Sequence, residues 1–298
     1  DNRKMKIEKT VRAAPGRTSI PRISLGAFVL FAIGIAGALF VWATPWKIPH
    51  TATADASRGY EPAGYWDGAD VPGGKFDRPM GVAVAPDGDV YVVDARQRVV
   101  RLDASGRFKA EWVRDGKGSG EFSNPVGVAV APDGSVFVSD YDLDRVQKFT
   151  ADGKFLLQFG GAGAGPGQFD APAGLAVDGT RAVYVVDFYH HRIHKFSGEG
   201  VFQTVIGHPG RLGDGALHYP TGVHAAADGR LVVADAYNNQ LQWFDANGHP
   251  TRRAGYHLFW LWPRPASPAA GFDVPTGVSV GPDGAIHVAD SGNHRVVL

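Results

Sequence analysis

The chain has 298 residues, no cysteine, and 30 basic against 30 acidic residues. The lack of cysteine excludes disulfides, a thiolate nucleophile and cysteine-ligated zinc. Charge is unevenly distributed: residues 1–22 carry seven Lys or Arg and two Asp or Glu, whereas residues 51–298 carry 22 and 28, a net charge of −6. Because an acidic body is a poor electrostatic match for phosphate backbones, we expect no nucleic-acid partner.

The first predicted elements are a cytoplasmic basic tail, residues 1–22, and a transmembrane helix, residues 23–46. The second stretch contains no charged residue. As a helix it would rise about 36 Å, enough to span a hydrocarbon core of about 30 Å. Trp42 and Trp46 lie at its far end, where an interfacial aromatic belt is expected. The positive-inside rule places the tail in the cytoplasm of a bacterium and the rest of the chain in the periplasm, beyond a single span of the inner membrane.

A cleaved signal peptide is the alternative interpretation of this stretch, with small residues at 52–54 as the candidate cleavage site. The apolar regions of signal peptides usually run for only about 7–15 residues, which favours an uncleaved anchor. The pairs Ala32/Ala36 and Gly34/Ala38 would let another helix approach closely. The expected contacts of the anchor are therefore the lipid bilayer and other membrane-protein subunits.

Residues 76–298 repeat one pattern five times. Each repeat has an apolar residue, a Pro-x-Gly-hydrophobic tetrad three residues later, an Asp-Gly pair, and an apolar run that ends in Asp. A period of roughly 45 residues is typical of solenoids and propellers. The tetrads begin at Pro79, Pro125, Pro172, Pro220 and Pro275, and the apolar runs end at Asp94, Asp140, Asp187, Asp235 and Asp290.

The strand pattern within a repeat favours the propeller. In the second repeat, Asp133-Gly134 separates two alternating apolar runs, which is a strong hairpin signal. Two further short strands follow it, and four antiparallel strands with no helical period are typical of a propeller blade. We therefore predict an all-β propeller, with five blades favoured and six left open, preceded by one transmembrane α-helix.

Residues 47–75 are predicted to form an extracytoplasmic tether and a ring-closing strand. Residues 60–66 align with the last strand of a blade, and the fifth repeat stops within its third strand. We expect the N-terminal strand to complete the final blade, because closure of the ring removes free sheet edges.

The repeat resembles the NHL repeat, most clearly at Asn293-His294-Arg295-Val296, and the resemblance covers roughly residues 76–298. The resemblance implies a β-propeller, commonly with six blades. It leaves the function open, because propellers of this kind serve as protein-binding platforms or RNA binders, and related families include lyases and lactonases. Lyases on related propellers hold a central metal with histidines from several blades, and the corresponding positions here do not supply such a set, although His224 could face the channel.

One irregular insertion lengthens the interval before the fifth repeat by about eight residues. It either plugs one mouth of the propeller or docks on a partner subunit or the lipid interface, and we favour docking because exposed aromatic residues anchor interfaces. The large apolar side chains in this insertion are Leu258, Phe259, Trp260, Leu261 and Trp262.

Three motifs suggest chemistry but are interpreted as structural. His190, His191 and His194 have a spacing that suits a metal, yet His191-Arg192 occupies the repeat position of His294-Arg295. The Asp140-x-Asp142-x-Asp144 run lacks the Gly and Glu that an EF-hand loop requires. Residues 160–167 are glycine-rich but lie in a linker between blades and do not match a phosphate-binding pattern.

The strand-ending aspartates are predicted to pair with the basic residue that opens the next strand and so to stabilise each blade. Those basic residues are Arg98, Arg145, Arg192 and Arg295. No catalytic set, metal site or cofactor is predicted. The resulting hypothesis is a non-catalytic interaction or scaffold subunit of a bacterial membrane complex, with electron transfer as one context for that complex. The alternative is a membrane-tethered, metal-dependent lyase or lactonase.

Overall fold

The computed structural model describes residues 65–255 and 271–298, together with the backbone of three short strands, Ile7–Glu8, Val11–Ala13 and Tyr60–Pro62. Ile7–Glu8 pairs with Tyr65–Trp66, and Val11–Ala13 pairs with Tyr60–Pro62, both antiparallel. The predicted transmembrane helix and the aromatic insertion lie outside the described residues. No helix among the residues that are described has the length and apolar character needed to cross a membrane.

Five antiparallel sheets follow one another along the chain, each built from consecutive strands. Blades 1 to 4 have four strands, and the described part of blade 5 has three. The strands are Pro79–Val84, Val90–Asp94, Arg98–Leu102 and Phe108–Val113 in blade 1; Pro125–Val130, Val136–Asp140, Arg145–Phe149 and Phe155–Gly160 in blade 2; Pro172–Val177, Val183–Asp187, Arg192–Phe196 and Phe202–Ile206 in blade 3; Pro220–Ala225, Leu231–Asp235, Gln240–Phe244 and Pro250–Ala254 in blade 4; and Pro275–Val280, Ile286–Asp290 and Arg295–Val297 in blade 5. This is the predicted five-bladed β-propeller.

Short elements lie in the connections. Ala236–Asn238 and Ser291–Asn293 form single 3-10 turns after the second strands of blades 4 and 5. His208–Pro209 and Ala216–Leu217 form a parallel pair that closes the linker between blades 3 and 4. Single parallel bridges close the two preceding linkers in the same way.

The Asp-Gly hairpin turns form as predicted, with one exception. In blade 2, Gly134 has a φ of 81° at the turn position where a left-handed residue is required. In blade 3 the pair Asp178-Gly179 lies earlier in the turn, and Arg181 takes the left-handed position with a φ of 70°. The backbone N–H of Arg181 bonds to the carbonyl of Asp178, as that of Gly134 bonds to the carbonyl of Ala131. The Asp-Gly pair of blade 3 therefore does not occupy the turn position that Asp133-Gly134 occupies in blade 2.

The hydrophobic core lies between the blades. One cluster joins Tyr91 and Val93 of blade 1 to Val136 and Phe149 of blade 2, and similar clusters join each later pair of neighbours. Contacts between blades run through their first strands, which are therefore the innermost strands. Each blade buries its two faces against its neighbours, since so small a sheet cannot do so alone.

A cation also lies over an aromatic ring in each of the first three blades. Arg101 lies over Tyr91 at 5.6 Å, and Lys148 lies over Phe137 at 5.4 Å. The Nζ of Lys148 then donates to the carbonyl of Gly198 in blade 3, at 2.8 Å. Such buried cations stabilise the junction between blades through both the ring and the hydrogen bond.

The ring is open between blade 5 and blade 1 in the part of the chain that is described. Packing joins each blade to the next from blade 1 to blade 5, and no comparable packing joins blade 5 to blade 1. Trp66 packs on blade 1 against Gly106, as Trp112 packs against Gly153 one blade later. Its backbone pairs with Ile7–Glu8, however, and Arg295–Val297 pairs with Ile286–Asp290. Trp66 thus packs on blade 1 as Trp112 packs on blade 2, and the described pairings do not join Tyr65–Trp66 to blade 5.

Candidate functional site

The candidate site lies on the propeller face where the second strand of each blade ends and the first strand begins. Antiparallel pairing brings these points together, as Pro172 and Asp187 lie opposite each other in blade 3. The loop after the second strand and the linker before the first strand therefore share this face in every blade. Both segments approach the centre of the ring, because the first strand is the innermost one.

The strand-ending aspartates hold this face together. In each blade the buried carboxylate accepts a backbone N–H from the linker that precedes the first strand. The N–H of Asp170 donates to Asp187 at 2.9 Å, and that of His218 donates to Asp235 at 2.7 Å. The equivalent bonds of Asp94, Asp140 and Asp290 come from Asp77, Ser123 and Asp273. These bonds link the two segments that carry the site.

The structure forms three of the four predicted Asp–Arg pairs. The Nε of the arginine donates to the carboxylate at 2.7–2.8 Å in Asp94–Arg98, Asp187–Arg192 and Asp290–Arg295. The guanidinium of Arg145 instead donates to the carbonyls of Lys117, Gly118 and Glu121 in the adjacent linker. In blade 4 the neutral Gln240 takes the place of the arginine and donates to Asp235 at 2.8 Å.

Neighbouring blades are also linked across this face. In blades 2 to 4 the last residue of the loop after the second strand is left-handed, and its side chain accepts the backbone N–H of the residue before the next blade's proline. Asp144 accepts from Ala171 at 2.8 Å, His191 accepts through Nδ1 from Tyr219 at 3.0 Å, and Asn239 accepts from Val274 at 2.9 Å. These bonds fix the position of one blade's loop against the linker of the next.

Aromatic side chains from blades 2 to 4 meet at this face. Tyr219 lies at the centre, 4.9 Å from Tyr237, 5.0 Å from Phe188 and 6.0 Å from Tyr189, measured between ring centroids. Tyr141 continues the group, with its ring 6.3 Å from that of Tyr189. We call the group of Tyr141, Phe188, Tyr189, His191, His218, Tyr219 and Tyr237 the aromatic face.

The side chains of the aromatic face include no carboxylate, ammonium or guanidinium group. Burial raises the pKa values of Tyr141 and Tyr237 above the ordinary phenol value. Burial lowers the pKa of His191 and of His218. The face is partly open to solvent, since Tyr237 is 41% exposed, while Phe188 is fully buried beneath it. Partly exposed tyrosines above a buried phenylalanine are typical of a docking surface.

The three candidate metal-binding histidines have three different structural roles. His190 contacts the carboxylate of Asp187 at 2.9 Å, as Asn238 contacts Asp235. His191 accepts the N–H of Tyr219 across the blade junction. Among residues 65–255 and 271–298, no three potential ligands come close enough to hold a metal ion.

His194 is fully buried at a position that glutamine occupies in blades 2 and 4. Gln147 and Gln242 bond the backbone of the adjacent linker through both ends of the side-chain amide. The Nε2 of His194 lies 3.5 Å from Oδ2 of Asp187, but that oxygen is already bonded to Arg192 and His190. Burial therefore dominates and lowers the pKa of His194 to about 3.

The aspartate run and the glycine-rich linker are also structural. Asp140 accepts two backbone N–H groups, Asp142 accepts from the side chain of Asn124, and Asp144 accepts from Ala171. Residues 160–167 form the linker between blades 2 and 3, where Gln168 accepts the N–H of Gly165.

Several predicted sites lie outside the described residues and stay predictions. These are the span at 23–46 with its small residues Ala32, Gly34, Ala36 and Ala38, the belt residues Trp42 and Trp46, and the insertion residues Leu258, Phe259, Trp260, Leu261 and Trp262. Conversely, sequence reasoning missed the aromatic face. The available signal was the set of tyrosines in the loops and linkers that flank the first and second strands of blades 2 to 4.

These observations define the protein as a β-propeller with an aromatic surface on its loop face. Four copies of the NHL repeat family model match, at residues 122–149, 169–196, 217–244 and 272–297. The chain belongs to the NHL-repeat propeller family. Among curated proteins, none matches this chain.

Solved structures share the fold at low sequence identity. A streptogramin B lyase is 19% identical with a TM-score of 0.53, over 73% of this chain and 64% of that one. A virginiamycin B lyase from Staphylococcus aureus with quinupristin is 17% identical with a TM-score of 0.55, over 82% and 71%. A structure of a nidogen/laminin complex is 19% identical with a TM-score of 0.56, over 73% and 74%. The chain thus spans just under two thirds of the streptogramin B lyase chain, and these likenesses describe the fold alone.

Proposed function

We propose that this chain is a non-catalytic interaction subunit of a bacterial membrane complex, with electron transfer as one context for that complex, and that a partner subunit docks on the aromatic face. The observation that carries the proposal is the convergence of four tyrosines from three blades on one partly open surface. Tyrosine is enriched at the energetic centres of protein interfaces, because it offers a large rigid area and a polar tip. The NHL propeller family supports a role of this general kind.

The docking proposal predicts a selective loss of partner in a Tyr237→Ala variant. The full chain would be purified in mild detergent from its native membrane, and co-purifying proteins and metals would be quantified by mass spectrometry. Loss of a typical hot-spot residue costs about 2 kcal/mol, which lowers affinity by roughly 30-fold. We therefore expect the variant to lose most of its co-purifying partner.

The matched control is Leu156→Ala. Leu156 has a similar exposed fraction, 45% against 41%, but lies on the fourth strand of blade 2, away from the aromatic face. It should keep the partner. Equal retention by both variants would contradict docking at this face, and a solitary chain with one stoichiometric divalent ion would favour the lyase or lactonase alternative.

The proposed anchor at residues 23–46 predicts a defined topology, with residues 1–22 cytoplasmic and the propeller periplasmic. Because the chain has no native cysteine, a maleimide will label only the cysteine that is introduced. In spheroplasts, a membrane-impermeant maleimide should label a Lys154→Cys variant at once and a Thr10→Cys variant only after the membrane is permeabilised. The pairing of Ile7–Glu8 with Tyr65–Trp66 requires both segments to lie on the same side of a membrane, which opposes this topology, so labelling must be measured at both ends. Immediate labelling of both variants would contradict the proposed topology.

A further inference from the structure

The aromatic face is flanked by carboxylates at its blade 2 and blade 3 end. Asp142 and Asp170 are exposed, and their charges add to burial in raising the pKa of Tyr141. Beneath them, burial raises the pKa of Asp144, and Asp170 and Asp187 raise it further. This end of the surface therefore carries a negative potential.

The opposite end, on blade 4, has a different electrostatic character. Burial lowers the pKa of His218, and the nearby Arg211 lowers it further. At the acidic end, Arg145 follows Asp142 by three residues. Its guanidinium donates to the carbonyls of the adjacent linker. Acidic side chains thus flank Tyr141, whereas the basic Arg211 lies near His218 on blade 4.

Elsewhere the same chain pairs an aromatic ring and a carboxylate with a cation of its own. Arg101 lies over Tyr91 and donates to Asp89 at 2.6 Å. Lys148 lies over Phe137, with Glu199 at 3.5 Å. A cation between a ring face and a carboxylate is favourable because the ring quadrupole and the charge both attract it.

The aromatic face has the ring and carboxylate parts of this arrangement. Within residues 65–255 and 271–298, none of the cation–π contacts or ion pairs involves Tyr189, Tyr219, Asp142 or Asp170. A cation from outside the described part of the chain would complete the arrangement. The net charge of −6 over residues 51–298 also favours a basic partner.

We infer that the acidic end of the aromatic face, formed by Tyr141, Tyr189, Asp142 and Asp170, receives a lysine or arginine side chain of the docking partner. This inference rests on the proposed docking function and specifies the chemistry of the partner. The cationic group would lie against the tyrosine rings, and the two carboxylates would bind its N–H groups. The rest of the partner would cover Tyr219 and Tyr237.

The test uses a probe that is independent of the native partner. An acetylated and amidated Gly-Arg-Gly-Arg-Gly peptide would be titrated into the full chain in detergent, with tyrosine NMR shifts as the readout and the corresponding glutamate peptide as the charge control. We expect the arginine peptide to shift the tyrosine signals and the Asp142→Asn/Asp170→Asn double variant to bind it at least five-fold more weakly. The matched variant Asp228→Asn/Asp283→Asn removes the same charge from exposed turns on the opposite face and should bind as the wild type does.

Two results would overturn the inference: equal shifts with the glutamate peptide, or equal weakening in both double variants. Native-partner retention separates this inference from the function on which it rests. If Tyr237→Ala loses the partner and Asp142→Asn/Asp170→Asn keeps it, the docking function stands and the cationic contact does not. If all these variants keep the partner, both proposals fail.

Discussion

Replacing Asp187 by asparagine should lower the melting temperature of the propeller by roughly 10 °C, which corresponds to about 3 kcal/mol of unfolding free energy for a domain of this size. The Asp187 carboxylate is fully buried and accepts from Arg192, His190 and the backbone N–H of Asp170. Asparagine would turn an amide N–H toward these donors and leave the guanidinium without its carboxylate. Thermal unfolding followed by tryptophan fluorescence provides the measurement.

The same substitution at Asp235 is the matched control. The side chains that donate to Asp235 are the neutral amides of Asn238, Gln240 and Gln242. Burial raises the pKa of Asp235, so the folded state gains from a neutral side chain at this position. Oε1 of Gln240 is buried and unpaired in the described structure. After an amide flip it can accept an N–H from the new asparagine. Asp235→Asn should cost only about 1 kcal/mol. Equal losses in the two variants would show that the charge of the arginine does not determine the cost.

A His194→Gln variant should resist acid better than the wild type. The pKa of His194 is lowered to about 3, below the ordinary value of 6.5, so the unfolded state binds a proton between these values that the folded state does not. Stability is therefore unaffected above pH 6.5 and is lost as pH falls, by about 1.4 kcal/mol per pH unit. Between pH 7.5 and 4.5 this one residue should cost the wild type roughly 3 kcal/mol.

Glutamine already fills this position in blades 2 and 4, so the variant should match the wild type near pH 7.5 and melt several degrees higher at pH 4.5. Burial lowers the pKa values of His191, His218, His224 and His287 as well, so part of the acid sensitivity should persist. His249→Gln, which replaces an exposed histidine that pairs with Asp245, is the control and should not melt higher than the wild type at pH 4.5. Parallel melting curves for wild type and His194→Gln would contradict this account.

The blades and the repeat position of His191 could be predicted because both follow from the repeat. Alternation and turn residues act over a few positions, so each hairpin is encoded locally. Comparison of repeats placed His191 at the position of His294 in the fifth repeat, but it did not predict the contacts of His190 and His194. Comparison of repeats did not reveal the different turn in blade 3. The pair Asp178-Gly179 matches the repeat pattern although it lies earlier in its turn.

The aromatic face could not be predicted in the same way. Tyr141 and Tyr189 follow second strands at different distances, and Tyr219 precedes a first strand. The tyrosines therefore share no repeat position from which their clustering could be predicted. The residues meet only because the innermost strands of consecutive blades pack side by side, a property of the ring that local periodicity does not encode.

The open ring has a further consequence for how the described propeller comes apart. A closed ring gives every blade two neighbours, whereas a linear array has ends, and its stability is approximately the sum of nearest-neighbour terms. The second strand of blade 5 is only partly buried, while those of blades 1 to 4 are fully buried. Local unfolding should therefore start at blade 5. The aromatic face lies on blades 2 to 4, so it should persist in partly unfolded forms that have already lost an end.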